Sequence, residues 1–386
     1  MTNGKLRVSE VDKSPEIVYL VTSSVSSRLM RGQHEYLAKS GYRVTVGVGL
    51  EDGSGPTGGF DTGVEVIDLG FRRPVALADD VRSLVKTVAL LRRRRPAHVN
   101  VSTPKAALLG MVAALIARVP HRVYVVRGLR YETMSGKGRR FYQSTERLVM
   151  RLAHDVLFNS QSLLDVAVDD GLIDRSHASV LAGGSGNGID MSRFDVVFGG
   201  GRHLADSNAP VLGFVGRLTA DKGVADLIEL FQAVAAVRAR CRLRIVGDFE
   251  VDDPVDQKTR EFIETDPRVD HVGWTDDVAG QYARMDLLVF LSKREGLPNV
   301  PLEAQASGVP VVGFAATGTV DAVLDGRRAL APVGDLATLA IQIDDLLQSP
   351  EAYARRSSAV HAFVAENFAR ERVWEALVEV YESAVR

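Results

Sequence analysis

Arg294-Glu295-Gly296-Leu297-Pro298-Asn299-Val300-Pro301-Leu302-Glu303-Ala304 follows the apolar run Met285-Asp286-Leu287-Leu288-Val289-Phe290-Leu291. A short branched run bounded by polar residues reads as a buried parallel strand, which makes Arg294 to Pro298 the loop at its carboxyl end. Ligands of open α/β sheets bind at that end. Asn299 can cap a helix whose first turn accepts Pro301, and the periodic Val300, Leu302, Ala304 and Ala306 lead to Gly308, a helix stop. A strand, a glycine-containing turn and a helix N-terminus together make an anion site, because unpaired amides and the positive dipole end point outward. Two carboxylates stand on this construction, Glu295 in the loop and Glu303 about one turn into the helix. Taken alone they could be a solvated loop acid and an acid favoured by the helix dipole.

A second loop has complementary charge. Val211 to Val215 reads as a strand, and Gly216-Arg217-Leu218-Thr219-Ala220-Asp221-Lys222-Gly223 leaves its carboxyl end. Arg217 and Lys222 on one loop can converge on a diphosphate, the guanidinium through bidentate contacts and the ammonium as a point charge. The order of Gly and Lys excludes a Walker A loop.

Together these stretches resemble the retaining GT-B glycosyltransferases of the large group 1 family (family 4), and within it the bacterial polysaccharide subgroup. The first is similar to that family's E-x7-E motif and the second to its Gly-Arg-x-x-x-x-Lys-Gly. The resemblance implies that Glu295 lies at the hydroxyls of a donor sugar, that Glu303 binds the ribose, and that Gly296, Leu297, Pro298, Asn299 and Val300 meet the diphosphate. It further implies that Arg217 and Lys222, with Gly216 beside them, stabilise the leaving nucleotide. Val246-Gly247-Asp248 and Val272-Gly273-Trp274 are two further strand ends where the family seats the base. Trp274 reads as the border of that pocket or as a packed side chain, with packing favoured.

Composition agrees with a soluble enzyme of two cores: 386 residues, 46% hydrophobic and 25% charged. No run of eighteen apolar residues occurs and Met1 to Lys13 is polar, so the expected compartment is the cytosol, where the resemblance to the polysaccharide subgroup would place the protein peripherally at the inner face of the cell membrane. The one cysteine, Cys241, excludes an internal disulfide and a Cys-based zinc site, and its place at the start of an apolar strand points to packing.

Charge is uneven. Between Arg82 and Arg151 there are 16 basic residues and only Glu132 and Glu146 against them, a block that favours an anionic partner. Part of it, Lys137 to Ala153, reads as a helix bearing Arg139, Arg140, Arg147 and Arg151 beside Phe141, Tyr142, Leu148 and Met150. Such a helix can lie on an anionic membrane or can simply be a domain-surface helix with one solvated face. Without aromatic interleaving, Arg92 to Arg95 reads as a helix C-terminus and not as a nucleic-acid patch.

Alternating strands and helices run the length of the chain. Glu16 to Thr22, Tyr42 to Val48, Val64 to Leu69, Ala97 to Ser102, Arg122 to Val126 and Asp155 to Phe158 read as strands, separated by helices such as Arg28 to Lys39, Ala76 to Arg95 and Pro104 to Arg118. Arg127-Gly128-Leu129-Arg130-Tyr131-Glu132 follows a strand end, a functional place, and resembles a segment of the polysaccharide subgroup, as does Arg31 to Val44. Many members of the family carry a His near there; the nearest here, His121, precedes the strand, so no catalytic His is carried over. Gly183 to Asp190 resembles the turn that ends the family's N-terminal domain, and its spacing does not fit a dinucleotide fingerprint. Gly199 to Pro210 is polar and Gly-rich, as an interdomain linker would be. In the second half Ala225 to Val237 reads as a helix and Arg242 to Val246 and Arg268 to Val272 as strands.

The expected fold class is therefore α/β, with the GT-B form of two Rossmann-like parallel-sheet domains facing across a cleft implied by the resemblance. Residues 1–205 would bind the acceptor, 206–365 the nucleotide sugar, and a terminal helix, 366–386, would cross back with Trp374 and Tyr381 as anchors. The implied activity is transfer of a sugar from a nucleotide sugar, by family frequency a UDP-sugar, to a hydroxyl, with an undecaprenyl-diphosphate-linked saccharide in polysaccharide biosynthesis as preferred acceptor. Arg127, Arg130, Arg139 and Arg140 are the candidates for the acceptor or membrane side. No cofactor or metal is expected, since two cations and a helix terminus neutralise the diphosphate and no Asp-x-Asp accompanies them; nor is nucleic acid. A soluble small-molecule acceptor, or a non-catalytic nucleotide-sugar-binding protein, remains the alternative.

Overall fold

The computed structural model describes residues 14–50, 60–72, 76–199, 209–251 and 253–384. Most of the expected linker, 200–208, lies outside them. The chain divides into two compact units, one made of Met1–Tyr124, Leu148–Asp155 and Val380–Arg386, the other of Val125–Arg147 and Val156–Glu379.

Seven strands form the first sheet: β1 (Glu16–Leu20), β2 (Arg43–Val48), β3 (Glu65–Asp68), β4 (His98–Val101), β5 (His121–Val126), β6 (Asp155–Phe158) and β7 (Ala178–Val180), in the order β3-β2-β1-β4-β5-β6-β7. β1 runs parallel to both β2 and β4. All five of its residues are buried, as a parallel strand covered on both faces requires. Glu16 can be among them because its carboxylate receives Thr45 Oγ1 and Arg43 Nη2, each at 2.7 Å.

The second sheet contains β8 (Val211–Val215), β9 (Arg242–Val246), β10 (Val269–Gly273), β11 (Leu287–Phe290) and β12 (Val311–Gly313) in the order β10-β9-β8-β11-β12. The chain winds outward from β8 to β10, then returns to the other side of β8 as β11, so the strand order reverses between β8 and β11. Such a reversal opens a crevice at the carboxyl ends. Gly213, paired with Leu288, leaves room for Met285: a Cβ there would stand 2.1 Å from the Met285 sulfur. Cys241 is buried in this unit's core, as expected, and burial pushes its thiol pKa up to about 12.

Several boundaries differ from the sequence reading. The helix expected from Arg28 is a 3-10 turn, Ser24–Met30, followed by an α-helix only at Gln33–Lys39, because Gly32 takes a positive φ of 83° between them. His121 begins β5 instead of preceding it. β7 and a seven-residue helix, Ser192–Phe198, were not anticipated. The chain ends in two helices, Pro350–Phe368 and Arg370–Ser383, with the break between them at Ala369. Trp374 Nε1 donates to Asn187 Oδ1 at 2.9 Å in the second unit, and in the first the buried Tyr381 hydroxyl meets Tyr19 Oη at 2.9 Å and Asn100 Nδ2 at 2.8 Å.

Candidate active site

β8 and β11 are hydrogen-bonded neighbours, so their carboxyl-end loops emerge side by side, about 4.8 Å apart in the sheet. The β8 loop passes through a 3-10 turn, Ala220–Lys222, and enters the helix Val224–Val237 at Gly223. Only glycine fits there: φ is 70°, and a Cβ would lie 2.6 Å from the Leu291 carbonyl oxygen. This close approach to the end of β11 delivers Lys222 to the second loop. Lys222 Nζ lies 2.5 Å from Glu295 Oε1, and Ser292 Oγ donates to the same oxygen at 2.7 Å.

Glu295 is also held by its backbone, whose N–H donates to Thr317 O at 3.1 Å. The next residue, Gly296, presses against the Arg127 carbonyl, so that a Cβ would fall 1.6 Å from that oxygen. Ser160 Oγ donates to Gly296 O at 2.6 Å. The loop after β11 is thus clamped against Arg127 and Ser160.

The helix that follows spans Asn299–Ala306. Asn299 does not cap it: Pro298 occupies the N-cap, Asn299 is already helical, and no side chain caps the terminus. Pro301 has no N–H to satisfy. Asn299 and Val300 line a cavity of about 160 Å³ with Gly216, Lys222, Ser292, Glu295 and Pro298. A cavity bounded by a lysine and an uncapped helix N-terminus suits an anion.

Glu303 stands one turn on. Its carboxylate accepts from the buried Tyr282 hydroxyl at 3.2 Å, and the same hydroxyl lies 3.3 Å from Val300 O. Withdrawal from water pushes the Glu303 pKa up to about 7, against the lowering influence of Tyr282 and Arg193. Glu303 is therefore divided between its charged and neutral forms near neutral pH.

The other expected donor-side residues are placed differently. Arg217 is largely exposed, 3.6 Å from Glu250, and does not line the cavity. Gly216 and Gly247 are stacked strand ends, with a Cβ on Gly247 only 1.9 Å from Gly216 O. Trp274 does not pack as favoured from sequence: it is 65% exposed, its backbone N–H donating to Asp248 Oδ1 at 3.1 Å.

Among the acceptor-side arginines, Arg127 turns its guanidinium against Gly186, where a Cβ would meet it at 2.3 Å. Arg139 is paired with Asp170 at 3.1 Å and lies over the Tyr131 ring, while Arg130 lies over Tyr142. Arg140 is exposed, next to the 65% exposed Phe141. The Arg127–Glu132 segment is nevertheless tied to the β11 loop, through Arg294 Nη1 to Leu129 O at 3.4 Å and Thr317 Oγ1 to Glu132 Oε1 at 3.0 Å. His121 is buried at the foot of β5, with Nε2 at 2.6 Å from Asp155 and Nδ1 at 2.8 Å from His98 Nδ1.

Tyr282, Ser292, Ser160 and Thr317 were not singled out from sequence. Ser292 could have been, since it follows β11 closely and stands three residues before Glu295; the others reach the site from distant segments.

Residues 209–349 match the family described as "Glycosyl transferases group 1", and residues 27–184 match "Glycosyl transferase 4-like domain". The chain belongs to the group 1 glycosyltransferases. Among its relatives in this family, the capsular polysaccharide biosynthesis glycosyltransferase CapM of Staphylococcus aureus is 31% identical over 378 residues, covering 97% of this chain and 98% of that protein. The UDP-Gal:alpha-D-GlcNAc-diphosphoundecaprenol alpha-1,3-galactosyltransferase of Escherichia coli is 24% identical over 249 residues, 62% of this chain and 63% of that one. In fold, Anabaena Alr3699/HepE in complex with UDP superposes with a TM-score of 0.72 at 21% identity, covering 95% of this chain and all of that one. Sucrose-phosphate synthase from Thermosynechococcus elongatus does so with 0.75 at 17% identity, covering 96% and 98%. This glycosyltransferase has the GT-B fold that the resemblance implied.

Proposed function

We propose that this glycosyltransferase moves a sugar, with retention of anomeric configuration, from a UDP-sugar to a hydroxyl of a lipid-linked saccharide in cell-surface polysaccharide assembly. The observation that carries the reading is the anion-suited cavity at the β8–β11 reversal, bounded by Lys222, Glu295 and the uncapped Asn299–Ala306 helix. In this reading the donor diphosphate occupies that cavity and takes Lys222 from Glu295, and Glu303 accepts the ribose hydroxyls.

Breaking the anomeric bond puts negative charge on the diphosphate and positive charge on the sugar ring. Lys222, the amides of Asn299 and Val300, and Arg217 once drawn in from Glu250 would meet the first. These groups act as preorganised electrostatics and not as a base. Glu295, released from Lys222, would hold the sugar's hydroxyls. The acceptor hydroxyl attacks from the leaving group's face and gives its proton to a diphosphate oxygen. With two cations and a helix terminus on the diphosphate, the reaction as proposed uses no metal.

CapM acts, by its name, in capsular polysaccharide biosynthesis, and the Escherichia coli relative on a diphosphoundecaprenol-linked sugar. These names support the acceptor class, and the UDP complex of a structural neighbour supports the base. Residues 206–365 would hold the donor, 1–205 the acceptor, and 366–386 would return to the acceptor side. The enzyme would work at the inner face of the cell membrane; among the described residues no helix is long and apolar enough to cross it.

A soluble acceptor is the second reading, favoured by Arg139 and Arg147, which are turned to Asp170 and Gly171 O instead of outward. One assay separates the two: nucleotide release from UDP-, GDP- and ADP-sugars, with and without anionic vesicles carrying lipid-linked sugars. Release from a UDP-sugar that the lipid-linked acceptor accelerates supports the first. Release accelerated only by soluble acceptors supports the second.

A further inference from the structure

At the opposite end of the first sheet from its strand carboxyl termini lies a second, larger cavity of about 670 Å³. Its walls come from the starts of β1, β2, β4 and β5 and from the last turns of the helices Leu77–Arg94 and Pro104–Ala117. Because open α/β sheets bind substrates at the other end, the fold itself does not call for a ligand here. The side chains do. Arg43, Arg92, Arg95 and Arg118 line the cavity, and the only acid that does so is Glu16. Glu16 is buried and already engaged by Arg43, Thr45 and, at 3.7 Å, Arg94. The guanidinium groups of Arg92, Arg95 and Arg118 have no acid or hydrogen-bond partner among the described residues. The volume is in the range of small-ligand sites.

The backbone adds a second observation. Arg95 and Arg118 are the C-caps of those two helices, with φ of 50° and 57°, the left-handed conformation in which helices usually end on glycine. Five non-glycine residues have positive φ among the described residues, and two of them are the arginines at this one cavity. The helix dipole favours cations in a last turn and so accounts for Arg92, Arg93 and Arg94. The dipole favours a cation at the two caps as well, but it does not select arginine over glycine at a left-handed cap, and both exposed guanidinium groups stand at a cavity of ligand size without a partner among the described residues.

We propose that this cavity binds a multiply charged phosphate anion, held by Arg92, Arg95 and Arg118 through the bidentate geometry that guanidinium offers to phosphate oxygens. Leu91 and Val119 give the cavity apolar wall as well, so the phosphate can carry an organic substituent. The site is independent of the donor reading, and no residue is shared between the two.

Inorganic diphosphate is the probe, titrated calorimetrically at low ionic strength into the full chain carrying Arg217→Ala and Lys222→Ala, which removes the lysine of the donor cavity and the arginine proposed to be drawn into it. The expected result is saturable one-to-one binding that weakens as salt is raised. Adding Arg95→Gly and Arg118→Gly should weaken binding at least tenfold. Because glycine fits both left-handed caps, that variant should melt at or above the temperature of its parent. Absence of saturable binding in the parent, or unchanged affinity in the glycine variant, overturns the proposal. Phosphatidylglycerol vesicles form the second arm. Capture by vesicles that depends on Arg95 and Arg118, with no binding of free diphosphate, would assign the arginines to a lipid headgroup and overturn the soluble anion.

Discussion

Lys222 and Glu295, 73 residues apart in sequence, form an ion pair of 2.5 Å at the point where the order of the second sheet reverses. Each side chain is about one-fifth exposed, and Ser292 Oγ shares the carboxylate. The pair keeps a cation and an acid beside the helix N-terminus, one suited to a diphosphate and the other to sugar hydroxyls. Donor binding, on this account, exchanges one set of partners for another without moving the loops.

Lys222→Ala should lower turnover by about 10²–10³-fold, the range for removing one preorganised charge partner of a transition state. Arg217→Ala should follow in the same direction, since its exposed side chain has to be recruited. Circular dichroism should be unchanged in both. Unaltered turnover in either variant would remove that residue from the diphosphate.

Glu303 gives a pH signature. Its pKa is raised to about 7, so the carboxylate proposed to accept ribose hydroxyls is lost as pH falls through 7. KM for the donor should rise below that pH in the wild type and be high and flat in Glu303→Gln. For stability the sign is opposite to that of a salt-bridged acid. The folded chain keeps the proton that the unfolded chain releases near 4.5, so stability declines as pH rises from 4.5 to 7 and then levels off. Denaturant midpoints of Glu303→Gln should therefore improve relative to wild type at pH 8 compared with pH 5.

Tyr282→Phe removes the hydroxyl that donates to Glu303. Since that bond lowers the carboxyl pKa, the midpoint of the donor-KM profile should move to higher pH. A midpoint that stays in place would show that Tyr282 does not act on Glu303.

The alternation of strands and helices was legible because buried parallel strands leave short branched runs, as in Leu287–Phe290. So was the strand, glycine turn and helix built around Glu295, since its parts are contiguous. The N-cap was misassigned because Asn299 is a good capping residue by type, while Pro298 fits the extended N-cap conformation and leaves Asn299 helical. Tyr282 and Ser160 reach the site only through the tertiary fold, and no local pattern marks them. Trp274 is exposed just past the end of β10, an edge strand of the second sheet, a placement that no local pattern marks. The basic helix illustrates the same limit: only the fold brings Asp170, 31 residues away, to Arg139.

Gly296→Ala tests the clamp on the loop after β11. A methyl group there would meet the Arg127 carbonyl at 1.6 Å, and the backbone has to shift. A loss of about 1–3 kcal/mol is expected from such overpacking, read by chemical denaturation, together with reduced turnover. Wild-type stability and turnover would mean that the loop and Arg127 separate freely.

The most direct measurement is calorimetric titration of UDP, with GDP and ADP alongside, into the wild type and into Glu303→Gln and Lys222→Ala. The account predicts one-to-one binding of UDP by the wild type, at least tenfold weaker binding by each variant, and weaker binding of the purine nucleotides. Absence of nucleotide binding, or equal affinity in all three proteins, would contradict the assignment of the Glu295–Glu303 stretch to the donor.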